Sequence, residues 1–98
     1  MSNEYEIELE KLRGEIDSVD EGIYRYLSAR MYLTGRIALL KKEHGVSEMC
    51  LIRREQIFER LKGWAIEDGI PVSMITQIYE IILEMSVLEQ VLIINEKD

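Results

Sequence analysis

From about Glu4 to Glu43 the apolar residues recur in alternating steps of three and four, with no proline to interrupt them. Leu9, Leu12, Ile16, Val19, Ile23, Tyr26, Leu33, Ile37 and Leu40 keep that rhythm, which places them along one stripe of a long α-helix. Arg30 stands where the rhythm calls for an apolar residue. A second helix is expected from about Glu48 to Glu67, with a stripe of Leu51, Arg54, Phe58, Leu61 and Ala65, Glu55 on its flank and Trp64 as a partly buried core residue. A third, from about Pro71 to Ile94, carries Ile75, Tyr79, Ile82, Ser86, Gln90 and Ile93. No repeat, linker or low-complexity tract divides the chain. The expectation is an all-α fold with three helices per chain, forming one helical domain over residues 1–98.

The helix ends carry their own signals. Ser2 and Asn3 can cap the first helix, and Glu4, Glu6, Glu8 and Glu10 put negative charge where the helix dipole favours it. Lys41, Lys42 and His44 precede Gly45, the usual composition of a carboxyl terminus, and a short turn to Ser47 follows. Asp68, Gly69, Ile70 and Pro71 form a stop and restart. Gly35, inside the first helix, leaves room either for a ligand or for a close helix crossing.

Length decides how such a chain can be covered. About 40 helical residues make a rod of about 60 Å, whereas a compact chain of about 100 residues has a radius of gyration of only about 13 Å. The remaining residues can cover only part of the seam. A second copy running antiparallel in a two-fold homodimer is the simplest remedy.

Composition narrows the partners. The chain has 98 residues, 47% apolar and 32% charged, which suits one soluble domain. Its net charge of -7 speaks against nucleic acid, because binding phosphates needs an exposed basic face. A single cysteine, Cys50, excludes an intrachain disulfide and a cysteine-based metal site. The longest apolar run, Val91 to Ile94, is too short to span a bilayer, so no membrane is expected and the cytoplasm is the expected compartment.

The candidate chemistry lies in the stripe positions that break the pattern. Arg30, Lys41, Arg54, Glu55, Ser86 and Gln90 come from all three helices and lie on or beside inward faces. Arg30 and Lys41 are about three turns apart, and an antiparallel partner would bring its own Arg13 level with the gap between them. Cations buried without partners would cost several kcal/mol each. A pocket for a small dicarboxylate, held by arginine forks, resolves that cost. No nucleophile has an adjacent base, no metal ligands cluster and no phosphate loop is present, which limits the reaction and leaves no metal site expected.

These residues resemble a known family. The run LEKLRGEIDSVDEGIYRYLSAR, then Lys41, then RRE at Arg53 to Glu55, then SVLEQ at Ser86 to Gln90, is similar to the all-helical AroQ class of chorismate mutases over about residues 7 to 92. The resemblance implies an intertwined homodimer with two equivalent sites, converting chorismate to prephenate in aromatic amino acid biosynthesis without a cofactor. It implies that Arg30 and the partner chain's Arg13 hold the two carboxylates, with Arg54 reinforcing that wall and Ser86 bonding the ring carboxylate. Lys41 and Gln90 would donate to the ether oxygen, and Glu55 would accept from the ring hydroxyl. One position departs from the family pattern. An Asp usually stands three positions before the Arg-Glu pair, and here it is Leu51, which could still offer its backbone N–H to the hydroxyl.

Such a reaction breaks a C–O bond and forms a C–C bond with no acid, base or covalent intermediate. Holding the reacting arm over the ring and stabilising negative charge on the ether oxygen are the means left to a protein. Two alternatives stand beside it. One is an isochorismate-pyruvate lyase on the same fold, and the other is a non-catalytic helical dimer serving regulation or assembly.

Overall fold

The computed structural model describes residues 2–46 and 50–96. Its elements are α1 (Ser2–Glu43), α2 (Leu51–Asp68) and α3 (Val72–Ile94), with no strand among the described residues. The fold is all-α with three helices, as the periodicity predicts. α1 begins at Ser2, so Asn3 lies within the helix and does not cap it; the Ser2 side chain is outside the described residues. The expected α2 start at Glu48 and the Ser47 end of the turn also fall outside them.

Two glycines stop helices in the same way. Gly45, at φ 66°, lets its N–H reach the Lys42 carbonyl at 3.2 Å while the Val46 N–H reaches that of Lys41 at 2.8 Å. Gly69, at φ 72°, closes α2 with the Ile70 N–H on the Ala65 carbonyl at 2.9 Å. Both are left-handed terminations that satisfy otherwise orphaned carbonyls, and a side chain at either position would be strained. Pro71 then sits at the N-cap of α3, its fixed φ of −59° suited to a helix entry.

The chain divides into two units, Met1–Tyr32 and Leu33–Asp98. The first is the amino-terminal part of α1. None of its described residues is buried, and Leu12, Ile16, Val19, Ile23 and Tyr26 of the predicted stripe are all exposed.

The second unit holds the core, built from the last turns of α1 with α2 and α3. Among its described residues Ala38, Leu61, Ala65 and Leu83 are the buried apolar ones, joined by buried Thr34 and Ser86. On α3 the predicted stripe is the inward one: Ser86 is buried and Ile75, Tyr79, Ile82, Gln90 and Ile93 are half-buried. On α2 only the carboxyl-terminal part of the stripe is covered, with Leu61 and Ala65 buried and Leu51 exposed. Trp64, expected as a partly buried core residue, is 56% exposed.

The end of α1 holds the main difference from the sequence reading. Leu33, Ile37 and Leu40 are exposed, while Thr34 and Ala38 are buried and Lys41 is half-buried. Each covered residue follows an uncovered one, which is a rotation of about 100° round the helix. The covered face is made of small residues: a Cβ added to Gly35 would lie 3.5 Å from Ile93 Cδ1 and 3.9 Å from Glu89 Oε1, in ordinary contact with α3. Among the described residues, no helix is long and apolar enough to cross a membrane.

Candidate functional site

The face of α1 that meets α3 carries Lys41 onto it. Its Nζ donates to Gln90 Oε1 at 2.9 Å in a partly buried setting, joining residues 49 apart in the chain. An ammonium has donors only, so the atom facing it must be the amide oxygen. That fixes the amide: Gln90 Nε2, with its two protons, is turned away from Lys41. The pair thus presents two kinds of donor, a charged ammonium and a neutral amide, from two helices.

Ser86 lies one turn before Gln90 on the same inward face of α3 and is buried. Its Oγ donates to the Ile82 carbonyl at 3.1 Å, a bond back to its own helix. Every buried side-chain nitrogen and oxygen among the described residues has a hydrogen-bond partner.

The α2 candidates are placed differently. The Arg54 guanidinium carbon lies 4.9 Å from the centroid of the Phe58 ring one turn on, a cation–π contact. Arg54 also lines an open groove of about 910 Å³ with Glu80, Glu84, Met85, Leu88 and Val91 of α3. The groove is centred on another side of α3 than Ser86 and Gln90, and its lining reaches the edge of their face through Leu83 and Val87. Leu51 and Glu55, in the first turns of α2, are exposed.

The remaining two candidates belong to the first unit. Arg30 is half-buried. Arg13 is exposed, and its Nη1 donates to Glu10 Oε1 at 3.0 Å with side-chain exposures of 60% and 72%. A pair this open contributes little to stability and is easily exchanged for another anion. Of the predicted site residues, then, the structure brings Lys41 and Gln90 into contact with Ser86 beside them, and sets Arg54 on its own groove.

Lys42 is a residue that the sequence reading assigned only to the helix dipole. Its Nζ donates to the Glu96 carbonyl oxygen at 2.6 Å, beyond the end of α3. Two adjacent lysines at a helix end look like dipole compensation in a sequence, and a tertiary contact to a main-chain carbonyl leaves no residue-type signal.

The sequence profile described as Chorismate mutase type II matches residues 12–91. The curated 4-amino-4-deoxychorismate mutase of Streptomyces venezuelae is 31% identical over 90 residues, a span of 91% of this chain and 87% of that protein. No solved structure matches significantly. The family match takes in Arg13, Arg30, Lys41, Arg54, Glu55, Ser86 and Gln90. With three helices, no strand among the described residues and that match over most of its length, the chain belongs to the chorismate mutase type II family.

Proposed function

We propose that the protein is an isomerase that rearranges chorismate to prephenate, in a site shared between two antiparallel copies of the chain. The Lys41–Gln90 contact carries this reading. In the rearrangement the breaking C–O bond loads negative charge onto the ether oxygen. Donors held at that point stabilise the transition state more than the ground state. The Lys41 ammonium supplies charge and the Gln90 Nε2 a directed N–H, and neither has to gain or lose a proton.

Binding falls to the arginines. Arg30 and the partner's Arg13 would each fork onto one carboxylate of the substrate, with Arg54 adding to the positive wall and Ser86 turning its hydroxyl to the ring carboxylate. Leu51 would offer its backbone N–H and Glu55 its carboxylate to the ring hydroxyl. Fixing both ends of the substrate holds the enolpyruvyl arm over the ring, which removes much of the entropic barrier.

The homodimer is part of the proposal. The apolar stripe of α1 is exposed from Leu12 to Leu40, and the four buried apolar residues among those described make a small core. A second copy would cover the stripe, complete a single domain over residues 1–98 and replace Glu10 by substrate as the partner of Arg13. The cytoplasm is the compartment proposed, consistent with a single free cysteine.

One observation favours a second substrate, 4-amino-4-deoxychorismate, because the Streptomyces venezuelae relative is named for its mutase activity on it. That molecule carries an amino group where chorismate has the ring hydroxyl, and a carboxylate at position 55 suits an ammonium at least as well as a hydroxyl. Incubating the purified protein with each compound and identifying the product by NMR decides between them. Turnover of neither overturns the reading.

A further inference from the structure

Two consecutive residues at the end of α1 reach α3 and the chain just past it. Lys41 reaches Gln90, and Lys42 reaches the Glu96 carbonyl, six residues further along. Adjacent residues on a helix point about 100° apart, so the two side chains diverge. They meet α3 and its exit about 9 Å apart along the helix axis. Their own backbones are pinned as well, since the Lys41 and Lys42 carbonyls accept the Val46 and Gly45 N–H groups of the glycine turn.

We propose that Lys42 is a positioning residue for the reaction: its bond to the Glu96 carbonyl holds the last turns of α3 in the rotation that presents Gln90 to Lys41. The Gly35 contact with Ile93 holds α1 against α3 before the last turn, and the Lys42 bond beyond the end of the helix adds a hold on that turn itself. Glu96 suits the task because the chain there is still wound, with the Asn95 N–H on the Val91 carbonyl at 3.0 Å and the Glu96 N–H on that of Ile93 at 3.3 Å. The Glu96 carbonyl lies just past the end of α3, where a bonded ammonium also complements the helix dipole. Released, that turn would fray and let Gln90 swing. A displacement of about 1 Å at a donor can cost about 10²-fold in rate.

Lys42 matters to turnover only if Lys41 and Gln90 serve the ether oxygen as proposed above, so the test has two arms. In the first, Lys42→Met and Lys42→Gln should lower kcat by about 10-fold to 10²-fold with KM changed less than about 3-fold, and Lys42→Arg should restore most of it. In a Gln90→Ala background, Lys42→Met should then add little, because no amide remains to be held. A normal kcat in both Lys42 variants, or an equal further loss without Gln90, would overturn the proposal. The second arm needs no substrate. The side-chain amide resonances of Gln90 should shift and broaden in Lys42→Met and return in Lys42→Arg; unchanged resonances would defeat the positioning role even if the protein turned over neither compound.

Discussion

Single residues set the chemistry through what their neighbours can donate or accept. Lys41→Met removes a charge that no other donor replaces, and kcat should fall by about 10² to 10³, the usual loss for one donor to a developing oxyanion; steady-state kinetics read it directly. At position 90, a glutamate in place of glutamine donates only when protonated. Lys41, 2.9 Å from that side chain, would favour its ionised form. Gln90→Glu should therefore be poorly active at neutral pH and recover toward acid, below the ordinary glutamate range of about pH 4 to 5. A flat pH profile of kcat would contradict a donor role. Glu55→Gln should cost an amino substrate more than a hydroxyl one, since only the former loses an ion pair, and the ratio of kcat/KM values measures it. Lys41 and Gln90 were legible in the sequence as polar residues at inward positions. Their mutual contact was not, because spacing along one helix says nothing about which residue of another helix it meets.

Helices show where that limit comes from. α3 was read correctly, since its inward face is apolar apart from Ser86 and Gln90 and the pattern stands out. The end of α1 has two usable faces. The larger side chains Leu33, Ile37 and Leu40 dominated the sequence pattern, while the face against α3 is made of Thr34, Gly35 and Ala38, whose small size allows approach but gives little hydrophobic signal. The two readings of Gly35, space for a ligand or a close crossing, now separate experimentally. A methyl there would make ordinary contacts with Ile93 and Glu89. Gly35→Ala should gain about 0.5–1 kcal/mol of helix stability and leave kcat/KM unchanged if the crossing is its purpose. Denaturant melts and kinetics on one preparation check both. The same substitution at Gly69 should act in reverse, destabilising by about 1–2 kcal/mol, because its φ of 72° suits no Cβ.

At the scale of the molecule, the open question is what covers α1. With the stripe exposed through both units and the core confined to the second, folding of the proposed dimer should be coupled to association. The melting temperature should rise with protein concentration, and Ile16→Glu should lower it and shift sedimentation toward the single chain. A concentration-independent melt would argue against the pairing. Division of the site between chains gives a second prediction: Arg13→Ala and Arg30→Ala, each inactive alone, should regain part of the activity when refolded together. Sequence length alone pointed to a missing cover. What the sequence could not supply is the face left open, because that depends on which side α2 and α3 have already taken. The bare stripe also has a consequence for heredity. In the proposed two-fold pairing every change along it arrives twice, once on each chain, so replacements that would be harmless once are felt doubly and this face should be the slowest of the three helices to diverge.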